Sequence, residues 1–448
     1  MAPADLVIAG QRVATPGGGL RPGAIMIVDG VITAVQDYGE PRDATRQLDV
    51  GTAVVLPGAV DTHVHVNEPG RTDWEGFETA TRAAAAGGVT TIVDMPLNSI
   101  PVTTTVESLE QKVRAAAGHA TVDYAFWGGV VPGNTAQLAP LAEAGVAGFK
   151  CFLVASGIDE FPSVSAADLY PAMTRLAELG LPLLVHAELP GPIARAARST
   201  ADSRRYASWL AARPPEAELE AIDLALGLCR KTGCHVHIVH LAAAAALDRL
   251  RDARREGLPI TVETCPHYLT FAAEDIPDGA TAWKCAPPIR ERENRERLWG
   301  GLADGTIDLV ASDHSPAPPA LKCLEAGDFA RAWGGVASVE LALAATWTGA
   351  RARGRSLQDL VRWHAERPAR LARFSRKGAI APGWDADLVV FDPDAQFTVE
   401  PSRLRQRHPI TPYAGRTLHG VVRQTFVRGS CVFDQGAFPA GAVGKWVR

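Results

Sequence analysis

Short apolar runs alternate along the chain with longer stretches rich in Ala, Leu and Glu. The short runs predict strands over Val54–Val66, Thr90–Met95, Val122–Val131, Gly148–Leu153, Pro182–Glu188, His235–Leu241, Ile260–Tyr268 and Leu309–His314. The stretches between them predict helices over Trp74–Ala86, Val106–Ala117, Thr135–Ala144, Ala166–Leu179, Glu216–Lys231, Ala242–Arg255 and Arg292–Leu302. Strands in series with helices between them imply an α/β fold, most economically a (β/α)8 barrel. A doubly wound open sheet is the alternative. Eight regular units without a glycine-rich phosphate loop weigh against it.

The two ends read differently. Asp5–Ala9, Ala24–Val28 and Val31–Val35 near the start, and Asp387–Phe391, Val421–Val427 and Ser430–Phe433 near the end, are short strand-like runs with no helices to pair with. They predict one small β-sandwich built from both termini, residues 1–52 plus 380–448, flanking a TIM-like barrel over residues 53–379. Asp359–Phe374 reads as a helix packed outside the barrel.

Composition narrows the function classes. Of 448 residues, 47% are hydrophobic and 21% charged, which suits a soluble globular protein with an ample core. The formal charge of −5 gives no basic excess for nucleic acid or an anionic membrane. No apolar run approaches the ~20 residues of a membrane span, and Met1–Gly10 shows no secretory pattern. The seven cysteines are odd in number and form no CxxC pair, so reduced thiols in the cytoplasm are expected.

The candidate chemistry begins at Asp61-Thr62-His63-Val64-His65, which follows the apolar run Val54–Val60. Residues two apart on a strand share a face, so His63 and His65 can both point into the C-terminal mouth of a barrel. Imidazole is a ready ligand for zinc-like cations. Alone, the pair reads equally well as two histidines of an ordinary strand. His186, His240 and the segment Ser312-Asp313-His314 end other candidate strands on the same rim, which favours a metal site. Lys150 lies inside the apolar strand Gly148–Leu153, where a charged ammonium is costly unless it is paired or reaches the rim. Beside cations it would lose its proton, and a neutral amine can take up CO2 as a carbamate that bridges two metals.

Taken together, these residues resemble the cyclic-amide branch of the amidohydrolase superfamily, and within it the allantoinases. The likeness covers nearly the whole chain. It rests further on Glu68-Pro69-Gly70-Arg71, Trp74-Glu75-Gly76, Asp94-Met95-Pro96-Leu97-Asn98, Gly148–Phe152, Lys284–Arg290, Ser312–Pro316, Ala332–Gly335 and Pro409–Gly415. The resemblance implies two divalent metal ions, with zinc expected. His63 and His65 would hold one and His186 and His240 the second. Carboxylated Lys150 would bridge them, and Asp313 would complete the first and shuttle the proton. It implies hydrolysis of the hydantoin ring of allantoin to allantoate, in a homotetramer.

Related dihydroorotases carry Arg where this chain has Asn67, and hydantoinases carry Tyr where it has Ala155. Both departures favour the allantoinase reading, and Ala155 leaves the oxyanion donor unassigned. A hydantoinase or dihydropyrimidinase is the alternative. A non-catalytic scaffold is a third reading, opposed by the retention of every ligand. Asn67, Asn98, the Ala286 backbone and Ser315 are the substrate-binding candidates, though ordinary turn chemistry would also account for Asn98 and Ser315. His235 and His237 are expected to be structural or to support the ligands. After His240, relatives commonly carry two serines where this chain reads Ala242-Ala243, a loss of helix caps that should lower stability.

Overall fold

A computed structural model describes residues 4–17, 19–40, 43–196 and 202–448. The first three residues of the Met1–Gly10 segment lie outside that set. The strands at the start are β1 (Ala4–Thr15), β2 (Gly19–Val28), β3 (Val31–Gln36), β4 (Ala44–Asp49) and β5 (Val54–Pro57). The central strands are β6 (Ala59–Val64), β7 (Val89–Asp94), β8 (Asp123–Phe126), β9 (Gly128–Gly129), β10 (Phe149–Phe152), β11 (Leu183–His186), β12 (Val236–Ile238), β13 (Ile260–Thr264) and β14 (Leu309–Val310). Near the end run β15 (Leu388–Thr398), β16 (Thr417–Val427) and β17 (Ser430–Asp434).

The central strands are parallel. One sheet has the order β6-β7-β8 and the other β14-β13-β12-β11-β10-β9. Only Trp127 separates β8 from β9, so one stretch of chain serves both sheets. At their other edges Val64 bridges His314 in parallel, with His65 N donating to His314 O at 2.8 Å. Val60, Val93, Ala125, Phe152, Leu184 and Leu309, each from a different parallel strand, meet in one buried cluster. A larger cluster packs helices such as Phe77–Ala86 and Pro215–Thr232 on the opposite faces of these strands. Strands buried on both faces explain why their sequences read as continuous apolar runs.

Three expectations need correcting. The run Val54–Val66 is not one strand. It breaks after Pro57, and Val54–Pro57 pairs with β15 and β1 in the terminal sheet. Gly58 marks the break: a Cβ there would lie 2.1 Å from the Thr90 hydroxyl. The strand begun at Ile260 ends at Thr264, because Pro266 opens the short helix Pro266–Thr270. The termini do not make two separate sheets. Their strands form one hydrogen-bonded sheet in the order β17-β16-β15-β5-β1-β2-β3, with β4 also on β1. Its first strand pairs with β4 through Ala4–Ala9 and with β5 through Arg12–Val13.

The missing serines after His240 are compensated through space. Glu218, on the helix Pro215–Thr232, accepts the N–H groups of Ala242 and Ala243, both at 2.9 Å. Asn294 Oδ1 accepts Ala244 N at 2.8 Å. Caps expected from adjacent residues are thus supplied from two other helices.

Candidate functional site

The ends of the parallel strands bring the histidines together. His63 Nε2 lies 3.2 Å and His65 Nε2 3.6 Å from Asp313 Oδ1, so three potential ligand atoms face one point. His186 Nδ1 lies 2.9 Å from His240 Nε2. Lys150 sits between the two sets: its ammonium acts electrostatically on His65, His186 and His240. All six residues are buried. Both His240 (φ 39°) and Asp313 (φ 45°) take left-handed backbone, a conformation unusual for non-glycine residues and concentrated at functional sites.

Two carboxylates that sequence reasoning missed orient this set. Glu263 Oε1 lies 2.5 Å from His63 Nδ1, and its Oε2 lies 3.0 Å from His237 Nε2. Glu188 Oε2 lies 2.8 Å from His186 Nε2 and also pairs with Arg213. Each carboxylate accepts the N–H of one ring nitrogen and leaves the other nitrogen bare toward the centre. The signal was there to be read, since both are carboxylates next to or inside apolar runs. His237 therefore supports a ligand through Glu263, while His235 contacts Thr261 Oγ1 at 2.8 Å, away from the centre.

Electrostatics favour ligand-ready forms. Burial lowers the His65 pKa to about 4 against the opposing charge of Asp313, and burial also depresses His186 and His240. These rings are neutral at neutral pH. Burial works against a charged Asp313, but His63 and His65 overcome it and hold the carboxyl at about 2. Burial lowers Lys150 to about 8, with Glu263 and Asp313 opposing.

The donor set fits a pair of cations. Among the described residues, Lys150 Nζ and His240 Nδ1 are buried without a hydrogen-bond partner, and His186 presents a bare nitrogen to His240. Such orphaned polar atoms are costly unless something satisfies them.

A cavity of about 300 Å3 opens onto the histidines. Asn98, Ala286 and Ser315 line it, as expected, and so does Ala155. Asn67 does not. It is 1% exposed, its Nδ2 donates to Pro316 O at 3.4 Å, and its backbone is left-handed (φ 66°), which places it in the turn behind the cavity. The Asn98 amide also lies 3.4 Å from His65 Nδ1. Further lining residues unforeseen from sequence are Trp209, Arg213, Lys284 and Trp333. No tyrosine lines the cavity among the described residues, in keeping with Ala155.

Among the described residues no helix is long and apolar enough to cross a membrane, and all seven cysteines are free thiols.

Comparisons with known proteins agree on the family. Residues 54–432 match the amidohydrolase family. The chain is 51% identical, over 98% of its length and 97% of the relative's, to an allantoinase of Streptomyces avermitilis. It is 43% identical to an allantoinase of Arabidopsis thaliana, covering 98% of this chain and 90% of that one. Among solved structures, the L-hydantoinase (dihydropyrimidinase) of Arthrobacter aurescens superimposes with a TM-score of 0.94 at 32% identity, covering 99% of both chains.

Proposed function

The chain belongs to the amidohydrolase family, and from that premise we propose that it hydrolyses the cyclic amide of allantoin to allantoate. The observation that carries this reading is the resemblance to allantoinases over nearly the full chain, joined to a cavity with Ala155 where hydantoinases place tyrosine. The hydantoinase alternative has fold similarity at lower identity in its favour.

We read the two parallel sheets as one closed (β/α)8 barrel. The Val64–His314 bridge, the continuity of β8 with β9 and the shared interior cluster support this. On the same reading, the terminal sheet is a second domain whose share of the chain extends to Pro57.

His63, His65 and Asp313 would hold one cation, His186 and His240 the other, and a carboxylated Lys150 would join them. The lowered pKa of Lys150, about 8, and its lack of a hydrogen-bond partner among the described residues support carboxylation. Zinc is the metal we expect from the imidazole-rich donor set. Bound there, the pair supplies Lewis acidity toward the ring carbonyl and an ionised water at neutral pH.

The protein's own groups do the rest. Asp313, ionised at neutral pH, accepts the proton released by the attacking water and returns it to the departing ring nitrogen. Glu263 and Glu188 hold the His63 and His186 rings in the required tautomers. Asn98, Ser315 and the Ala286 backbone bind the ring and orient its amide.

A substrate panel of allantoin, hydantoin, dihydrouracil and dihydroorotate with metal-loaded protein tests the reading. Allantoin turnover well above the others is expected, and hydantoin turnover without allantoin turnover would overturn it. Metal analysis should find about two ions per chain. Intact mass measured before and after acid release of CO2 checks Lys150. Light scattering checks the homotetramer.

A further inference from the structure

Two buried lysines outside the ligand set hold one wall of the cavity. After Ser315 the chain loops outward and returns through Trp333–Gly335, which lines the cavity beside Ser315. The return is close: Ser315 N donates to Val336 O at 3.0 Å, and a Cβ on Gly335 would lie 2.3 Å from Ser315 O. Lys322 is 3% exposed and sits behind this wall. Its Nζ donates to Gly335 O at 2.8 Å, Trp333 O at 3.0 Å and Lys284 O at 3.5 Å. The Lys284 carbonyl also accepts Gly335 N at 2.8 Å, and Lys284 Nζ donates to Ala332 O at 2.5 Å.

One ammonium therefore ties together the two segments that form this wall, Lys284–Ala286 and Trp333–Gly335. No carboxylate pairs with Lys322 among the described residues. The titratable groups that face it are Lys284 and Cys285 from one segment, Cys323 beside it, and His408 across a small adjoining cavity. A buried ammonium without a counter-ion is expensive. Stability alone would be served by an apolar side chain, so an ammonium at this place points to a task in the site.

We propose that Lys322 is a positioning residue whose protonated amine sets the substrate wall at Trp333–Gly335. Three carbonyls face an ammonium with three N–H donors. A neutral amine has two N–H bonds and a lone pair, which one carbonyl must then face. Burial, with the like charge of Lys284, lowers its pKa to about 7, so the wall loosens as pH rises above neutrality. The turnover consequence rests on the proposed use of this cavity. A looser wall weakens substrate binding more than it slows the chemical step.

Hydrogen–deuterium exchange of the metal-loaded protein without substrate tests the proposal, comparing wild type, Lys322→Met and Lys322→Arg. Rates are corrected for intrinsic exchange. In wild type, protection of the Trp333–Val336 amides should fall about tenfold between about pH 6 and about pH 9. Lys322→Met should be unprotected there at both pH values. Lys322→Arg, charged throughout, should keep its protection flat. With allantoin, the KM of each variant relative to wild type at the same pH should follow the same pattern, while kcat at that pH differs by less than about twofold between them. Wild-type protection that ignores pH, or Lys322→Met behaving as wild type, would overturn the proposal. So would loss of protection spread across the whole molecule. If wild type fails to turn over allantoin, the substrate reading fails, and exchange alone still decides the role of Lys322.

Discussion

His63 Nδ1 and Glu263 Oε1 lie 2.5 Å apart in a fully buried contact, although 200 residues separate them in sequence. The carboxylate stays ionised because His63 and His237 outweigh the burial that would protonate it. It fixes which nitrogen of His63 faces Asp313. Glu263→Gln keeps the shape and removes the charge. We expect metal affinity to fall about 10- to 100-fold, read by chelator competition and metal content. Unchanged affinity would leave Glu263 a structural residue only.

Asp313→Asn preserves volume but cannot hold the transferred proton. Turnover should fall by about 10²–10⁴-fold or more, with near-UV circular dichroism unchanged. Near-normal turnover in a folded variant would exclude Asp313 as the proton shuttle.

Glu188 sets a pH limit on stability. Burial raises its pKa, but Arg213 and His186 more than reverse this and lower it from 4.5 to about 2. A depressed carboxylate contributes stability that is complete above its unfolded value and lost as pH falls through the folded one. The stabilisation, on the order of 3 kcal/mol at neutral pH, should therefore disappear between about pH 4.5 and about pH 2. Thermal melts of the metal-free protein should show the midpoint falling across this window. Glu188→Gln should be less stable at neutral pH and show a shallower fall. Parallel curves for the two proteins would refute the assignment.

Glu218 carries two duties at once. It accepts the N–H groups of Ala242 and Ala243 and pairs with buried Arg290 at 2.6 Å. Glu218→Ala leaves a buried guanidinium unpaired and two donors unmet, so a loss of about 3–5 kcal/mol is expected in denaturant unfolding. Adding Ala242→Ser and Ala243→Ser should recover part of that loss, since serine can cap locally. No recovery would show that Arg290, not the cap, dominates.

Much of the site was legible because its residues break local rules. Lys150 inside Phe149–Phe152 and His63 and His65 at the end of an apolar run are polar groups where burial is expected, so their positions alone raise the question of a ligand. The alternation of strands and helices was legible because strands buried on both faces are rich in apolar residues. Boundaries were harder. The apolar run Val54–Val60 continues across the break at Gly58, and only hydrogen-bond partners assign Val54–Pro57 and Ala59–Val64 to different sheets.

The sequence by itself determined the residue types of the candidate site, their placement at strand ends and the alternation of strands and helices, since these depend on residue chemistry and short-range periodicity. The tertiary structure alone decided which carboxylate orients which histidine, which distant side chains accept the Ala242, Ala243 and Ala244 N–H groups, and that Asn67 faces Pro316 while Lys322 braces the cavity wall. These are contacts between residues far apart in the chain. Their partners are set by how the sheets and helices pack, and no local pattern records that packing.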